Sequence, residues 1–426
     1  MRLIRSQNTQ SEQTPRLSVV GNDAYDGPQA QSPVESNGAG SVHSPVPPLR
    51  PRVEIPVRDP SPDAEECARY TARGRFLARQ EAWDELAEEM QAAESQGQLT
   101  TGLYPVAGCL AQGARADAVE AACAAGARGE PRAVQAVLAA FETSLEDEDA
   151  VHRPALTYIT AMAHVDMAHA WRGASATSKL SQQRRAAYAH HMKTAQAMAD
   201  LFDPFETGSP LWAALRCAVL EADTQPAARL ADDYEDLIEL APCVPATMKA
   251  LGDAARPHRF GTWEVLDNEA RRVAMQTRDI WGVGGYAWVY MGALERDLGA
   301  FRRLDAELFS EGLHDILDRF PTQDMANRLA AFTGVTVGGP CDPGSARRRV
   351  ADAFGWITQD HLRELHPAIW AHAPTPGRAV NNATSDDILK RGRIRANSSL
   401  AEYYAPALEA GRRLVFTADG VRMLKE

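Results

Sequence analysis

The chain has only five lysines among its 45 basic residues, and its 426 residues carry a formal charge of −12. A surface with this excess of acid repels phosphate backbones and anionic lipids, so neither nucleic acid nor a membrane is an expected partner. No run of eighteen apolar residues is present, and the N-terminal residues lack the apolar stretch of a secretory signal. We therefore expect a cytoplasmic protein.

Cysteine is scarce, and no two cysteines have the CxxC spacing of a redox or zinc motif. The sequence also lacks a P-loop, a GxGxxG after a strand, an HExxH, a GxSxG and an EF-hand loop. The glycine-rich segment Gly282–Gly285 follows a helical pattern and lacks the Lys-Ser/Thr of a phosphate loop, so we interpret it as a turn between helices. No cofactor is expected, and an enzymatic function is not favoured.

The first 62 residues lack sustained hydrophobic periodicity and are rich in Ser, Gln, Pro, Gly and Asn. Such a segment buries too little apolar surface to offset chain entropy, so residues 1–62 are predicted to form a disordered tail. A helical pattern starts at the end of this tail, where Ser61 suits the N-cap and Pro62 the first turn.

Apolar residues then recur with the 3.6-residue period of amphipathic helices, for example at Trp83, Leu86, Ala87 and Met90. Segment 285–296 is apolar on all sides, which predicts a helix at the centre of the C-terminal core. Breakers at short intervals favour antiparallel helix pairs. The predicted fold class is therefore all-α.

The acidic run Glu146–Asp149 is the predicted boundary between N-terminal helical hairpins, residues 63–145, and a main helical domain, residues 150–413. Alternating apolar residues around an Asp-Gly turn predict a β-hairpin at 414–426. A hairpin of this size is not stable alone, so we expect it to dock on the helices.

Two segments echo each other: Trp83-Asp84-Glu85-Leu86 and Trp263-Glu264-Val265-Leu266, each at the head of an amphipathic helix and each preceded by Arg-Phe. They resemble tetratricopeptide-like helical repeats, in which a Trp and a Leu of one helix pack against small residues of the next. The resemblance implies an α-solenoid of stacked hairpins with a concave surface that binds a protein or peptide partner. It identifies no binding residues and no oligomeric state.

A polar cluster on the helix predicted at 155–172 is the candidate chemical site. Asp166 and His169 are three residues apart on its apolar face, and His191 lies on the flank of the next helix. The pattern predicts that His164 and His190 point away. A carboxylate beside a histidine can orient a metal ligand or a general base, which makes Asp166, His169 and His191 candidate metal ligands. A structural His–Asp hydrogen bond in the core is the favoured alternative.

Three functional hypotheses follow. The first is a helical-repeat interaction or scaffold module, and the second is an all-α metal protein or enzyme that uses Asp166 and His169. The third is an exported effector, because the tail resembles type III secretion signals: Leu3 and Ile4 come early, and no acidic residue precedes Glu12. That resemblance implies translocation as the alternative localisation.

Overall fold

The computed structural model describes residues 52–145, 153–173, 179–376 and 385–425, and this part of the chain is mostly helical. Residues 1–51, which contain the predicted export signal, and the predicted boundary at Glu146–Asp149 lie outside the described residues. The all-α prediction is confirmed at the level of secondary structure, and the stacked-repeat arrangement stays a prediction.

The helices are named in chain order. The described α-helices are α1 (Pro62–Arg79), α2 (Trp83–Ser95), α3 (Val106–Ala127), α4 (Pro131–Ser144), α5 (Arg153–Arg172), α6 (Gln182–Ala199), α7 (Pro204–Thr207), α8 (Pro210–Ala218), α9 (Pro226–Leu240), α10 (Pro245–Ala254), α11 (Trp263–Gln276), α12 (Arg278–Trp281), α13 (Gly284–Leu294), α14 (Ala306–Arg319), α15 (Gln323–Ala331), α16 (Ala346–Trp356), α17 (Pro367–His372), α18 (Ser385–Tyr403) and α19 (Ala405–Glu409). Short 3₁₀ segments follow α8 and α13, and π-helical turns extend α15 (Phe332–Thr336) and α16 (Ile357–His361).

Helix α1 begins where the sequence predicts. The Ser61 side chain accepts a hydrogen bond from the backbone N–H of Ala64, and Pro62 occupies the first turn, where its missing N–H costs nothing. The turn predicted at Gly282–Gly285 is present at Gly282 and Val283, which join α12 to α13, whereas Gly284 and Gly285 belong to α13. Gly282 has a φ of +60°, and the N–H of Val283 donates to Asp315 at 2.7 Å.

Two hydrophobic cores meet at α8. The N-terminal core gathers buried residues of α1, α2, α3, α5, α6 and α8, and the C-terminal core extends from α8 to the last strands. Leu211, Trp212 and Leu215 of α8 belong to the first core, whereas Ala213 and Cys217 belong to the second. The predicted division into residues 63–145 and 150–413 therefore does not match the packing, because α5, α6 and α8 complete the core that α1–α3 begin.

The C-terminal core is built around α13, whose eleven residues are all buried. Helix α13 approaches α10 closely: a Cβ on Gly292 would lie 1.9 Å from the carbonyl oxygen of Lys249 in α10. A Cβ on Gly252 of α10 would likewise lie 1.8 Å from the carbonyl oxygen of Val289. Only glycine permits this backbone contact, so the two helices are fixed against each other at these positions.

The C-terminal hairpin is confirmed as β2 (Arg412–Thr417) and β3 (Gly420–Lys425), joined through Ala418–Asp419. It docks on the helices as expected, because Leu414 and Phe416 of β2 are buried in the C-terminal core.

The tail prediction to residue 62 extends too far, because residues before α1 form a third strand, β1 (Val53–Glu54). This strand pairs in parallel with β2, with Val53 opposite Leu414. The side chain of Arg413 donates to Glu54 at 3.0 Å. We call residues 52–58 the arm; within it, the backbone N–H of Arg58 donates to the carbonyl oxygen of Leu365 at 2.9 Å. The arm thus connects the start of the described chain to its last strands.

Candidate functional site

Asp166 lies on α5 as predicted, but its partner is an arginine. The Nε–H of Arg115, on α3, donates to the Asp166 carboxylate at 2.6 Å. Arg115 is only 7% exposed, so this ion pair neutralises a buried cation in the N-terminal core. The carboxylate of Asp166 is therefore engaged in a cross-helix contact and makes no hydrogen bond to His169 within the described chain.

His169 lies at the surface, close to the C-terminal end of α5. Partial burial of its ring, followed by the nearby Arg172 guanidinium, lowers its pKa. In the part of the chain that the structure describes, no group of three or more His, Cys, Asp and Glu side chains is arranged to hold a metal ion. The three candidate ligands Asp166, His169 and His191 therefore do not form a metal centre there.

The third candidate, His191, is buried in a different cluster. Its Nδ1 lies 2.9 Å from the Nδ1 of His164, and the Nε2 of His164 lies 2.7 Å from the Glu142 carboxylate. The His190 ring is 5.3 Å from that of His191, at the exposed end of the cluster. We call Glu142, His164 and His191 the histidine chain; it connects α4, α5 and α6.

Hydrogen-bond chemistry assigns the tautomers of this chain. A carboxylate can only accept, so beside Glu142 the Nε2 of His164 carries a proton, and in the neutral ring its Nδ1 carries a lone pair. That lone pair accepts from the Nδ1–H of His191. Burial, followed by repulsion from His164 and His190, lowers the pKa of His191 to about 4. The His191 ring is accordingly neutral near pH 7.

The prediction that His164 points away is wrong, and the reason is the number of neighbours around α5. This helix packs against α2, α3, α6 and α8 and is buried on several sides, so it lacks a single solvent-exposed face opposite its apolar face. His164 lies eight residues before the end of α5, and His191 lies nine residues after the start of α6. In an antiparallel helix pair, residues at nearly equal distances from the connecting turn lie side by side. This signal in the sequence would have found the contact between His164 and His191.

A second feature of the N-terminal core is an open apolar groove of about 400 Å³, which we call the α1–α3 groove. It is lined by Arg69, Tyr70 and Arg73 of α1, Glu89, Ala92 and Ala93 of α2, Gln98 of the next loop, and Val106 and Leu110 of α3. Small side chains on α2 leave the space open, and the periodicity of the sequence does not reveal it.

Close helix packing holds the groove in shape. A Cβ on Gly74 of α1 would lie 2.0 Å from the carbonyl oxygen of Leu110, so α1 and α3 touch through their backbones. The N–H of Gly102, just before α3, donates to Asp63 at the start of α1 at 2.8 Å. Near the other end, Arg79 pairs with Asp117 at 2.5 Å. Later residues of α1 contact later residues of α3, from Asp63 with Gly102 to Arg79 with Asp117, so the two helices run parallel.

The two arginines of the groove differ in their engagement. Arg73 pairs with Glu85 at 2.5 Å and with Glu89 at 2.6 Å, so its charge is neutralised within the protein. The guanidinium of Arg69 lies 4.6 Å from the centroid of the Tyr70 ring and makes no ion pair with a described residue. Arg69 is therefore the cation that the groove offers to a ligand.

Comparison of the chain with protein-family models, curated proteins and solved structures gives no match. Within the described ranges, no helix is both long and apolar enough to span a membrane.

Proposed function

We propose that this protein is a helical interaction module that binds a segment of a partner protein in the α1–α3 groove. The observation that supports the proposal is the groove itself, which is open, mostly apolar and about 400 Å³ in volume, and which lies between three packed helices. Peptide-binding modules commonly take one or two apolar side chains into such a groove and use polar groups at the rim for orientation.

The chemistry of the groove indicates which segment it takes. Ala93, Val106 and Leu110 offer contact to an apolar side chain and leave no polar group to satisfy. Arg69 at the rim is complementary to a carboxylate, because its guanidinium presents donors in a fixed plane. The expected occupant is therefore a partner segment in which an apolar side chain precedes or follows an acidic one.

The path of the first three helices supports the same proposal. Two parallel helices, α1 and α3, with α2 connecting them, match the start of a stacked-hairpin array in which α1 and α3 are equivalent. The tetratricopeptide-like resemblance implies peptide binding on the surface of such an array. Because Arg69 and Ala92 line the groove, we propose that both residues contact the partner segment.

The proposal is tested with the full chain and a displayed library of short peptides that combine apolar and acidic residues. Selected peptides are synthesised with a fluorescent label, and their Kd is measured by anisotropy. Ala92→Trp fills the groove from an exposed position of α2, and we expect at least a tenfold loss of affinity. Arg69→Gln removes one exposed charge contact, worth at most about 1 kcal/mol or about fivefold in Kd.

Ala189→Trp provides the matched control, because Ala189 is exposed on α6 and does not line the groove. It should leave the Kd within twofold of the parent value. Circular dichroism confirms that each variant keeps its helix content. Selected peptides that bind Ala92→Trp as well as the parent chain would contradict the proposal, as would a library that yields no binder.

A further inference from the structure

A smaller cavity, of about 300 Å³, lies on the opposite side of α2 from the α1–α3 groove, between α2, α5 and the α7–α8 segment. At 100° per residue, the mean direction of the α2 residues that line this cavity lies about 160° from that of the α2 residues that line the groove: Ala87, Met90, Gln91 and Glu94 against Glu89, Ala92 and Ala93. Its volume is at the lower end of the range for small-molecule sites. Its lining includes Met90, Glu94, Tyr158, Glu206, Ser209 and Trp212.

Glu94 is held in a fixed orientation in this cavity. One carboxylate oxygen accepts from the Ser209 hydroxyl at 2.6 Å and from the N–H of Leu211 at 3.2 Å. Ser209 is the N-cap of α8, so the carboxylate occupies the position where a helix N-terminus favours an anion. The second oxygen, Oε2, makes no hydrogen bond to a described residue and remains available as an acceptor.

One side of the cavity is aromatic. The rings of Tyr158 and Trp212 meet edge to face, with centroids 6.3 Å apart. The Tyr158 hydroxyl makes no hydrogen bond to another described residue. Glu206 adds a second, exposed carboxylate, and neither lysine nor arginine is among the lining residues. The cavity thus combines an oriented acceptor, a hydroxyl, an aromatic side and negative charge.

We propose that this cavity is a binding site for a small organic amine, whose ammonium group donates to Glu94 Oε2 and whose apolar body contacts Tyr158 and Trp212. An ammonium carries only donors, which matches the free carboxylate oxygen. An anion is excluded by Glu94 itself, because the helix N-terminus that would attract it is already occupied. The site is independent of the proposed peptide groove, which lies across α2.

The electrostatics of Glu94 favour the same ligand. Burial raises the pKa of its carboxyl, an effect that the bonds from Ser209 and Leu211 partly offset. A bound ammonium stabilises the ionised carboxylate by a charge-assisted hydrogen bond, which is stronger than a neutral one. The removal of water from a partly enclosed cavity strengthens this pair further.

The test is isothermal titration of the full chain at pH 7.5 with three amines of increasing apolar size: ethylamine, butylamine and phenethylamine. The neutral isostere 2-phenylethanol and the anion phenylacetate are titrated alongside. We expect saturable binding of at least one amine with a Kd below about 1 mM and at least tenfold weaker binding of its neutral isostere. Glu94→Gln keeps an acceptor for Ser209 but removes the charge, and should weaken amine binding at least tenfold.

Two further variants separate the site from its surroundings. Ala155→Leu fills the cavity from α5 without a change of charge and should abolish binding. Glu88→Gln changes an exposed carboxylate of the same helix that does not line the cavity, and should leave the Kd within twofold. Thermal unfolding reports whether each variant is folded. The proposal is overturned if no amine binds below about 1 mM, or if the alcohol or the anion binds as tightly as the amine.

Discussion

The two larger hydrophobic cores of the described chain contain different clusters of buried polar groups. In the C-terminal core, the fully buried Asn327 is satisfied at every position: its amide donates to two backbone carbonyls, and its oxygen accepts from the His366 N–H and the Trp370 indole. In the N-terminal core, the buried groups include the titratable pair His164 and His191, which contact each other across helices.

Both clusters include a buried imidazole, because His366 beside Asn327 is 1% exposed and its Nε2 lies 3.0 Å from the Glu364 carboxylate. In the N-terminal core, the low pKa of His191 means that its imidazole gains a charge only in acid. The α1–α3 groove and the Glu94 cavity line up with residues of the same part of the chain, and both proposed ligand sites therefore lie in the N-terminal region.

The largest effect should come from a break in the C-terminal core. Trp281 is fully buried, stacks on Phe320 with ring centroids 4.3 Å apart, and donates to the carbonyl oxygen of Pro242 at 2.8 Å. We expect Trp281→Ala to lower the free energy of unfolding by about 4 kcal/mol because it removes this packing and leaves a cavity. Urea unfolding followed by circular dichroism measures the loss, and Met275→Ala, at a 73% exposed position, is the control.

The same experiment examines whether the cores are independent. Helix α8 contributes to both cores, and Arg328 of α15 contacts Asp63 of α1 at 3.4 Å. We expect a single unfolding transition in the parent and in Trp281→Ala. Two separate transitions in the variant would show that the N-terminal core folds without the C-terminal core.

The next largest effect should come from the ion pair that holds α3 to α5. Asp166→Asn leaves the buried guanidinium of Arg115 without its counter-charge, so we expect a loss of about 2 kcal/mol. Asp117→Asn, which removes a half-exposed partner of Arg79, should cost less than about 1 kcal/mol. Equal losses in the two variants, measured by urea unfolding at pH 7, would contradict the distinction between buried and surface pairs.

The histidine chain predicts a pH dependence specific to the N-terminal core. A histidine in the unfolded chain binds its proton near pH 6.5, whereas His191 in the folded protein binds it only near pH 4. Between these values the unfolded state holds more protons, so the stability present above pH 6.5 is lost as the pH falls toward 4. His191→Gln should therefore unfold with a shallower pH dependence than the parent chain.

The measurement is the urea midpoint at several pH values between 7 and 4. His258→Gln is the matched control, because His258 is an exposed histidine that lies outside the histidine chain. Parallel pH profiles for the parent and His191→Gln would show that the chain does not titrate as its burial requires.

The smallest effect should be equal in the two regions. Ser61 caps α1 and Thr262 caps α11, and each side chain accepts a hydrogen bond from the backbone N–H three residues later. We expect Ser61→Ala and Thr262→Ala each to cost about 1 kcal/mol by urea unfolding. A large difference between them would show that helix ends, and not only the cores, distinguish the regions.

Local features of the fold could be predicted from the sequence because they depend on neighbouring residues. The cap at Ser61, the fully buried helix α13 and the C-terminal hairpin each carry a signal within a few positions. Strand β1 has no such signal, because two residues, Val53 and Glu54, become a strand only when β2 supplies the hydrogen bonds. The division between cores was also hidden, since α8 packs on both sides.

The candidate site illustrates the same limit. The sequence draws attention to Asp166 and His169 because they are close in the chain, but Asp166 bonds to Arg115, 51 positions earlier. The contact between His164 and His191 depends on where the α5–α6 hairpin turns. Helical periodicity reports which face of a helix is apolar, and it does not report which neighbour each face meets.

The pairing of β1 with β2 has a consequence for synthesis on the ribosome. Val53 emerges early, whereas its partner Leu414 is added 361 residues later, which takes about 20 to 70 s at the usual rates of translation. During that interval β1 has no native edge to join, although the helices between can already assemble. Pairing of β1 with β2 is therefore a late step of folding, and a nascent chain arrested between residues 365 and 412 should leave residues 52–55 open to proteolysis while residues 56–58 can already pair with Leu365.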